Sequence, residues 1–117
     1  MSHYHPEVLK ALSYIEQHYT DSLTLDEVCR YSQLSKSYFC SFFKEQTSLT
    51  FVEYLNKRRI DHAKWLLEST DLHVTEICYD TGFNDLTHFS RTFKRIPGIS
   101  ARAYRSQKRK EPERKIS

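Results

Sequence analysis

Glycine is nearly missing from this sequence: among 117 residues only Gly82 and Gly98 occur, and the prolines number three. So small a supply of chain-reversing residues excludes a fold of many short strands and tight hairpins. No run of about 18 apolar residues is present for a membrane span, and no apolar core follows a basic start as in a secretory signal. A cytoplasmic protein with no membrane partner is expected. Paired cysteines are lacking as well. Cys29, Cys40 and Cys78 are odd in number and widely spaced, which fits neither a disulfide framework nor structural zinc, so buried free thiols are expected. There is no phosphate-binding glycine loop and no zinc-hydrolase spacing. His62, His73 and His88 could serve acid–base chemistry but form no specific arrangement with the carboxylates, so no enzyme is expected. His3 and His5 near the N-terminus suggest adventitious metal binding at most, and no cofactor is called for.

What is present is 38% hydrophobic, enough for one modest core or two small ones sharing a connecting element. The net charge of +3 is unevenly placed: residues 102–117 hold seven Lys or Arg against two Glu, which leaves the rest of the chain at −2. Such a basic end adds non-specific attraction to phosphates, and its last part, 108–117, is expected to be a tail without fixed structure.

The apolar residues recur at helical spacing. Pro6 and Glu7 start a helix carrying Val8, Leu12, Ile15 and Tyr19. Thr24 with Glu27 forms a capping-box pattern ahead of Leu25, Val28 and Cys29. Ser35 caps a third helix whose Tyr38, Phe39, Phe42 and Phe43 are expected to make one broad aromatic core face. Thr50 and Glu53 repeat the capping box and open the longest helical run, to about Ser69, lined by Leu55, Arg59, Ala63, Leu66 and Leu67.

The chain then restates itself. Leu23-Thr-Leu-Asp-Glu-Val-Cys29 matches Leu72-His-Val-Thr-Glu-Ile-Cys78. With one residue inserted, Phe39 meets Phe89, Phe43-Lys44 meets Phe93-Lys94, Ser48 meets Gly98 and Tyr54 meets Tyr104. Two copies of one supersecondary unit follow, each a short helix, a turn and a second helix, the layout of a helix-turn-helix. Gly82 sits at the second turn, where positive φ redirects a chain, and Gln33 holds that place in the first.

The second helix of such a unit lies in the major groove, and two on one face of B-DNA sit about 34 Å apart. A helix of about 20 residues spans about 30 Å, so the run from Thr50 to Ser69 is of the right order to hold two readers on one bipartite site without a dimer. Off the aromatic face fall Lys36, Ser37, Cys40, Ser41 and Lys44 in the first unit, and Asn84, Asp85, Thr87, His88, Arg91 and Lys94 in the second. Arg91 can pair both donors with guanine, while Lys44, Lys94 and Arg95 near helix C-termini suit phosphates.

Gly82-Phe83-Asn84-Asp85, then His88-Phe89-Ser90-Arg91-Thr92-Phe93-Lys94, then Gly98 and Tyr104-Arg105, resembles the signature of the AraC/XylS family of bacterial transcription regulators. Phe43-Lys44, Tyr54, Arg59, Ala63 and Leu66-Leu67 extend the resemblance to the family's first unit and linker helix, over roughly residues 8 to 106. The resemblance implies an all-α fold of about seven helices, two helix-turn-helix subdomains joined by a long linker helix. It also implies sequence-specific binding to double-stranded promoter DNA, with activation through contact with RNA polymerase. Lys36, Ser37, Cys40 and Ser41 then correspond to the base-facing surface of the first recognition helix, and Leu86, Thr87, His88, Ser90 and Arg91 to that of the second. Backbone amides near Thr24 and Ser35 would meet phosphates. Departures are Ser41, where many members carry arginine, Ala101 for a common proline, Ser48 for a common glycine, and Cys29 and Cys78 for alanines.

The expected organisation is therefore 1–49 as N-terminal helix and first unit, 50–70 as linker helix, 71–107 as second unit and final helix, and 108–117 as basic tail. The second unit is expected to read the more stringent half of an asymmetric site. The competing reading is a helical protein-interaction module whose aromatic groove holds a partner helix.

Overall fold

A computed structural model describes residues 5–116, with side chains through Lys110. Seven helices form among them and no strands: α1 (Pro6–His18), α2 (Leu25–Ser32), α3 (Lys36–Thr47), α4 (Phe51–Ser69), α5 (Val74–Asp80), α6 (Leu86–Arg95) and α7 (Ala101–Ile116). Local chemistry sets most of their starts. At α2 the Thr24 amide donates to Glu27 Oε1 at 2.8 Å while the Glu27 amide donates back to Thr24 Oγ1 at 3.2 Å. Thr50 and Glu53 make the same pair of bonds ahead of α4, at 2.9 and 3.1 Å. Each pair satisfies helix-start donors that would otherwise have no partner.

The chain divides into two compact units between Asn56 and Lys57, inside α4. In the first, α1 packs on α2 and α3, and Val8, Ala11, Ile15, Val28, Phe39, Phe43, Phe51 and Leu55 form the core. In the second, Ile60, Ala63 and Leu67 of α4 join Ile77, Cys78, Phe83, Phe89, Phe93 and Tyr104. The helix α4 is thus core material for both units, the connecting element that two small cores share. Its buried positions include the apolar Ile60 and the polar Asn56, neither of which the helical pattern singled out.

The internal repeat extends to the backbone bonds. The Leu34 amide donates to the Cys29 carbonyl and the Phe83 amide to the Cys78 carbonyl, each at 3.1 Å, so both turns close by the same six-to-one bond. Buried hydroxyls beside these turns match too: Ser32 Oγ donates to the Val28 carbonyl and Thr81 Oγ1 to the Ile77 carbonyl, both at 2.8 Å. Gln33 (φ 62°) and Gly82 (φ 108°) both lie at positive φ, as do Ser48 (φ 68°) and Gly98 (φ 97°). The absence of glycine thus does not change the first turn; Gln33 adopts the left-handed conformation itself.

Three expectations need correction. Phe39 and Phe43 are buried, but Phe42 is half-buried and Tyr38 is 49% exposed, stacked on Phe42 with ring centroids 5.2 Å apart. The core face of α3 is one i, i+4 pair wide, because a helix turns adjacent residues about 100° apart. Cys40 is exposed, unlike the buried Cys29 and Cys78. And α7 continues through residues 108–116, assigned above to a structureless tail. Lys, Arg and Gln are good helix formers, and Arg109 is held to the end of α4 by bonds to the Thr70 carbonyl and to Asp71, the latter at 2.9 Å.

Candidate nucleic-acid interface

Burial of Phe39 and Phe43 turns the opposite side of α3 outward, and Lys36, Ser37, Cys40, Ser41 and Lys44 are all exposed there. Ser35 caps this helix by accepting from the Tyr38 amide at 3.2 Å. Burial of Phe89, Thr92 and Phe93 does the same for α6, leaving Leu86, Thr87, His88, Ser90, Arg91, Lys94 and Arg95 exposed, with Asn84 exposed just ahead of the helix. All fourteen of the positions singled out for contact, Asp85 included, are therefore at the surface of their units.

Asp85 has other work. Its Oδ1 accepts from the Thr87 amide and its Oδ2 from the His88 amide, each at 3.3 Å, so both oxygens cap the start of α6. A carboxylate committed in this way stabilises the helix N-terminus. The His88 ring lies edge-on to Phe83, centroids 5.4 Å apart.

The two helices differ in free charge. Lys36 Nζ is 2.9 Å from Asp26 Oδ1, and that carboxylate holds the ammonium above its ordinary range. On α3 this leaves Lys44 as the cation with no ion pair among the described residues, whereas on α6 Arg91, Lys94 and Arg95 are all without one. The buried thiols stay protonated near neutrality: burial pushes Cys78 up to about 11, with Asp85 adding to the shift, and burial likewise raises Cys29. Low-pKa thiolate chemistry is not what these two offer.

Sequence reasoning missed Arg102. It lines an open cleft with Leu86, Ser90 and Lys94 of α6, Ser100 and Ala101 at the start of α7, and Val74 and Thr75 of α5. Its signal lay in the repeat, which sets Arg102 opposite Val52. The histidines considered for catalysis fall on separate duties, His73 ahead of α5, where its amide donates to Glu76 Oε1 at 2.9 Å, and His62 beside Trp65. Among the described residues no group of three or more His, Cys, Asp or Glu could hold a metal, and no helix is long and apolar enough to cross a membrane. His3 lies outside the described residues. His5 precedes α1, contacts Glu7, and donates its amide to Gln46 Oε1 at 2.9 Å.

Known proteins resemble the chain in sequence and in fold. Residues 28–107 match a family described as a helix-turn-helix domain. The chain is 36% identical over 103 residues to YijO of Escherichia coli K12, an uncharacterized HTH-type transcriptional regulator, covering 85% of this chain and 36% of that protein. The C-terminal domain of AraT, a response regulator from Geobacillus stearothermophilus, superposes with TM-score 0.87 at 34% identity, covering 91% of this chain and 88% of that one. The DNA-binding domain of AdpA, solved in complex with a target DNA, superposes with TM-score 0.85 over 90% of this chain and 95% of that one; at 23% identity the likeness is one of fold. The chain spans about a third or less of the length of the curated relatives it matches.

Proposed function

Because the chain belongs to the AraC-type helix-turn-helix family of DNA-binding transcription regulators, we propose that it reads a bipartite promoter site, α3 entering one major groove and α6 the next. The observation that carries the reading is the outer face of α6, where Arg91 stands exposed beside Lys94 and Arg95, none of them in an ion pair among the described residues. An uncommitted guanidinium in a groove pairs two donors with guanine O6 and N7. Thr87, His88, Ser90 and Asn84 supply further contacts to base edges, and Lys94 and Arg95 near the end of the helix neutralise phosphates. On α3, Ser37, Cys40 and Ser41 read more weakly, with Lys44 on the backbone and Lys36 first released from Asp26. The DNA-binding unit works as a monomer in the cytoplasm, activates by touching RNA polymerase, and performs no catalytic step. The repeated supersecondary unit and the shared α4 support a single bipartite site.

The test begins with selection of bound duplexes from a random pool, followed by salt titration. Affinity should fall steeply with salt, since each neutralised phosphate releases counterions. Arg91→Ala should cost about 1–3 kcal/mol on the selected duplex and relax one base position, while Lys94→Ala weakens all sequences alike. Equal loss on selected and random duplexes for Arg91→Ala overturns its assignment, and binding that ignores salt overturns the DNA reading.

A further inference from the structure

The helix-turn-helix of the second unit ends with α6, yet the cleft beside α6 continues onto α7. Its α6 wall is Leu86, Ser90 and Lys94, one face at four-residue spacing, and Ser90 belongs to the surface assigned to the bases. A major groove about 12 Å wide is bordered by phosphate backbones on both sides. A helix that turns Ser90 to the bases therefore brings a bordering strand toward the cleft that Ser90 helps to line. Facing that strand are Arg102 and Lys94, both exposed and neither in an ion pair among the described residues, with the Ser100 hydroxyl between α6 and α7. Ser100 Oγ caps α7 by accepting from the Ala103 amide at 3.1 Å, which sets the positive end of this long helix at the same place. An adjoining cleft shares Val74, Thr75 and Arg102 and adds Arg105, and neither cleft has a carboxylate in its lining.

We propose that the cleft between α6 and the start of α7 seats a phosphodiester of the DNA strand bordering the groove, gripped by Arg102 together with Lys94. The inference rests on the DNA reading given above. It extends the contact surface of the second unit beyond its helix-turn-helix to α7. The first unit lacks the counterpart, since the repeat sets Val52, 60% exposed, opposite Arg102. The contact carries no base information, so it anchors the second half of the site whatever its sequence.

The experiment is a salt titration of the whole chain on one duplex selected from a random pool and on one of random sequence. Arg102→Gln should lower the slope of log affinity against log salt by about 0.9, one phosphate's worth, and weaken both duplexes by the same factor. Arg102→Lys should keep the slope, because it keeps the charge. An unchanged slope in Arg102→Gln, with the wild-type chain binding normally, overturns the proposal while the DNA reading stands. A larger loss on the selected duplex would make Arg102 a base reader and overturn it too. Should the wild-type chain show no salt-dependent binding, the parent reading fails instead. The Arg102 side chain is exposed and makes no ion pair among the described residues, so the variants should keep the wild-type thermal midpoint, and phosphate ethylation interference on wild-type complexes gives an independent count of the gripped phosphates.

Discussion

Gln33 and Ser48 hold left-handed backbone conformations, φ 62° and 68°, at places where the second unit has Gly82 and Gly98. For a residue with a Cβ that conformation costs roughly 1 kcal/mol, and neither side chain is of the Asn or Asp type that visits it readily. Each ends a helix, with the Ser48 amide bonded to the Lys44 carbonyl at 2.8 Å and the Gln33 amide to Arg30 at 3.3 Å. Ser48→Gly is therefore expected to raise stability by about 0.5–1 kcal/mol, the relief of strain being partly offset by a more flexible unfolded chain. The reciprocal Gly98→Ala should lower it by about 1–2 kcal/mol. A Cβ at Gly98 would meet nothing within 4 Å, so that loss would be wholly backbone. Thermal or denaturant unfolding of both variants checks the pair; a lowered midpoint for Ser48→Gly would contradict the strain argument. These conformations could not be read from Gln33 or Ser48 themselves. They were legible only by setting one copy of the repeat against the other, because the second copy has glycine at both places.

At the scale of the element, the most local signals were the most legible. Thr24 with Glu27 and Thr50 with Glu53 each act across three residues, so sequence order alone places donor and acceptor together. The burial of Phe39, Phe43, Phe89 and Phe93 followed from helical spacing in the same way. What escaped was tertiary. Tyr38 and Phe42 have the same apolar bulk as Phe39 and Phe43, and which of the two i, i+4 pairs faces inward depends on how α1 and α2 pack against α3. Asp85 is a different case: its cap bonds span only two and three residues, but an exposed contact position and an exposed cap look alike in sequence. The end of α4 is a third case. Arg105 was part of a motif that resembled DNA-binding proteins, yet its Nε donates to the Leu67 carbonyl and its Nη2 to the Thr70 carbonyl, each at 3.1 Å. It closes the carbonyl end of α4 and ties α7 to it, with the Tyr104 hydroxyl reaching Glu68 nearby. Charged donors on helix-end carbonyls are worth about 1.5–3 kcal/mol each at most, and Arg109 shares the Thr70 carbonyl. Arg105→Ala should thus cost about 2 kcal/mol in unfolding while leaving the salt slope of DNA binding unchanged. A variant that keeps its stability but loses slope would move Arg105 from structure to phosphate contact.

At the scale of the whole molecule, there are two cores with no residue in common, joined through α4. Phe89 is fully buried at the centre of the second, its ring 5.2 Å from Phe83 and 5.8 Å from Phe93. Truncation of a buried Phe costs about 3–5 kcal/mol. In Phe89→Ala, amide-exchange protection should fall through α5, α6 and α7 while α1, α2 and α3 keep theirs, as expected where cooperative units coincide with supersecondary motifs. Uniform loss across all seven helices would mean that α4 transmits the damage and that the chain unfolds as one. The division between the units, between Asn56 and Lys57, runs through helical backbone. Lys57, Arg58 and Arg59 offer three tryptic bonds there, but a protease must take its substrate as an extended strand, and unwinding these residues would expose Leu55 and Ile60 on either side. Unlike domains strung on a flexible tether, which digestion frees as separate folded pieces, these two halves cannot be parted at their junction without first being unfolded.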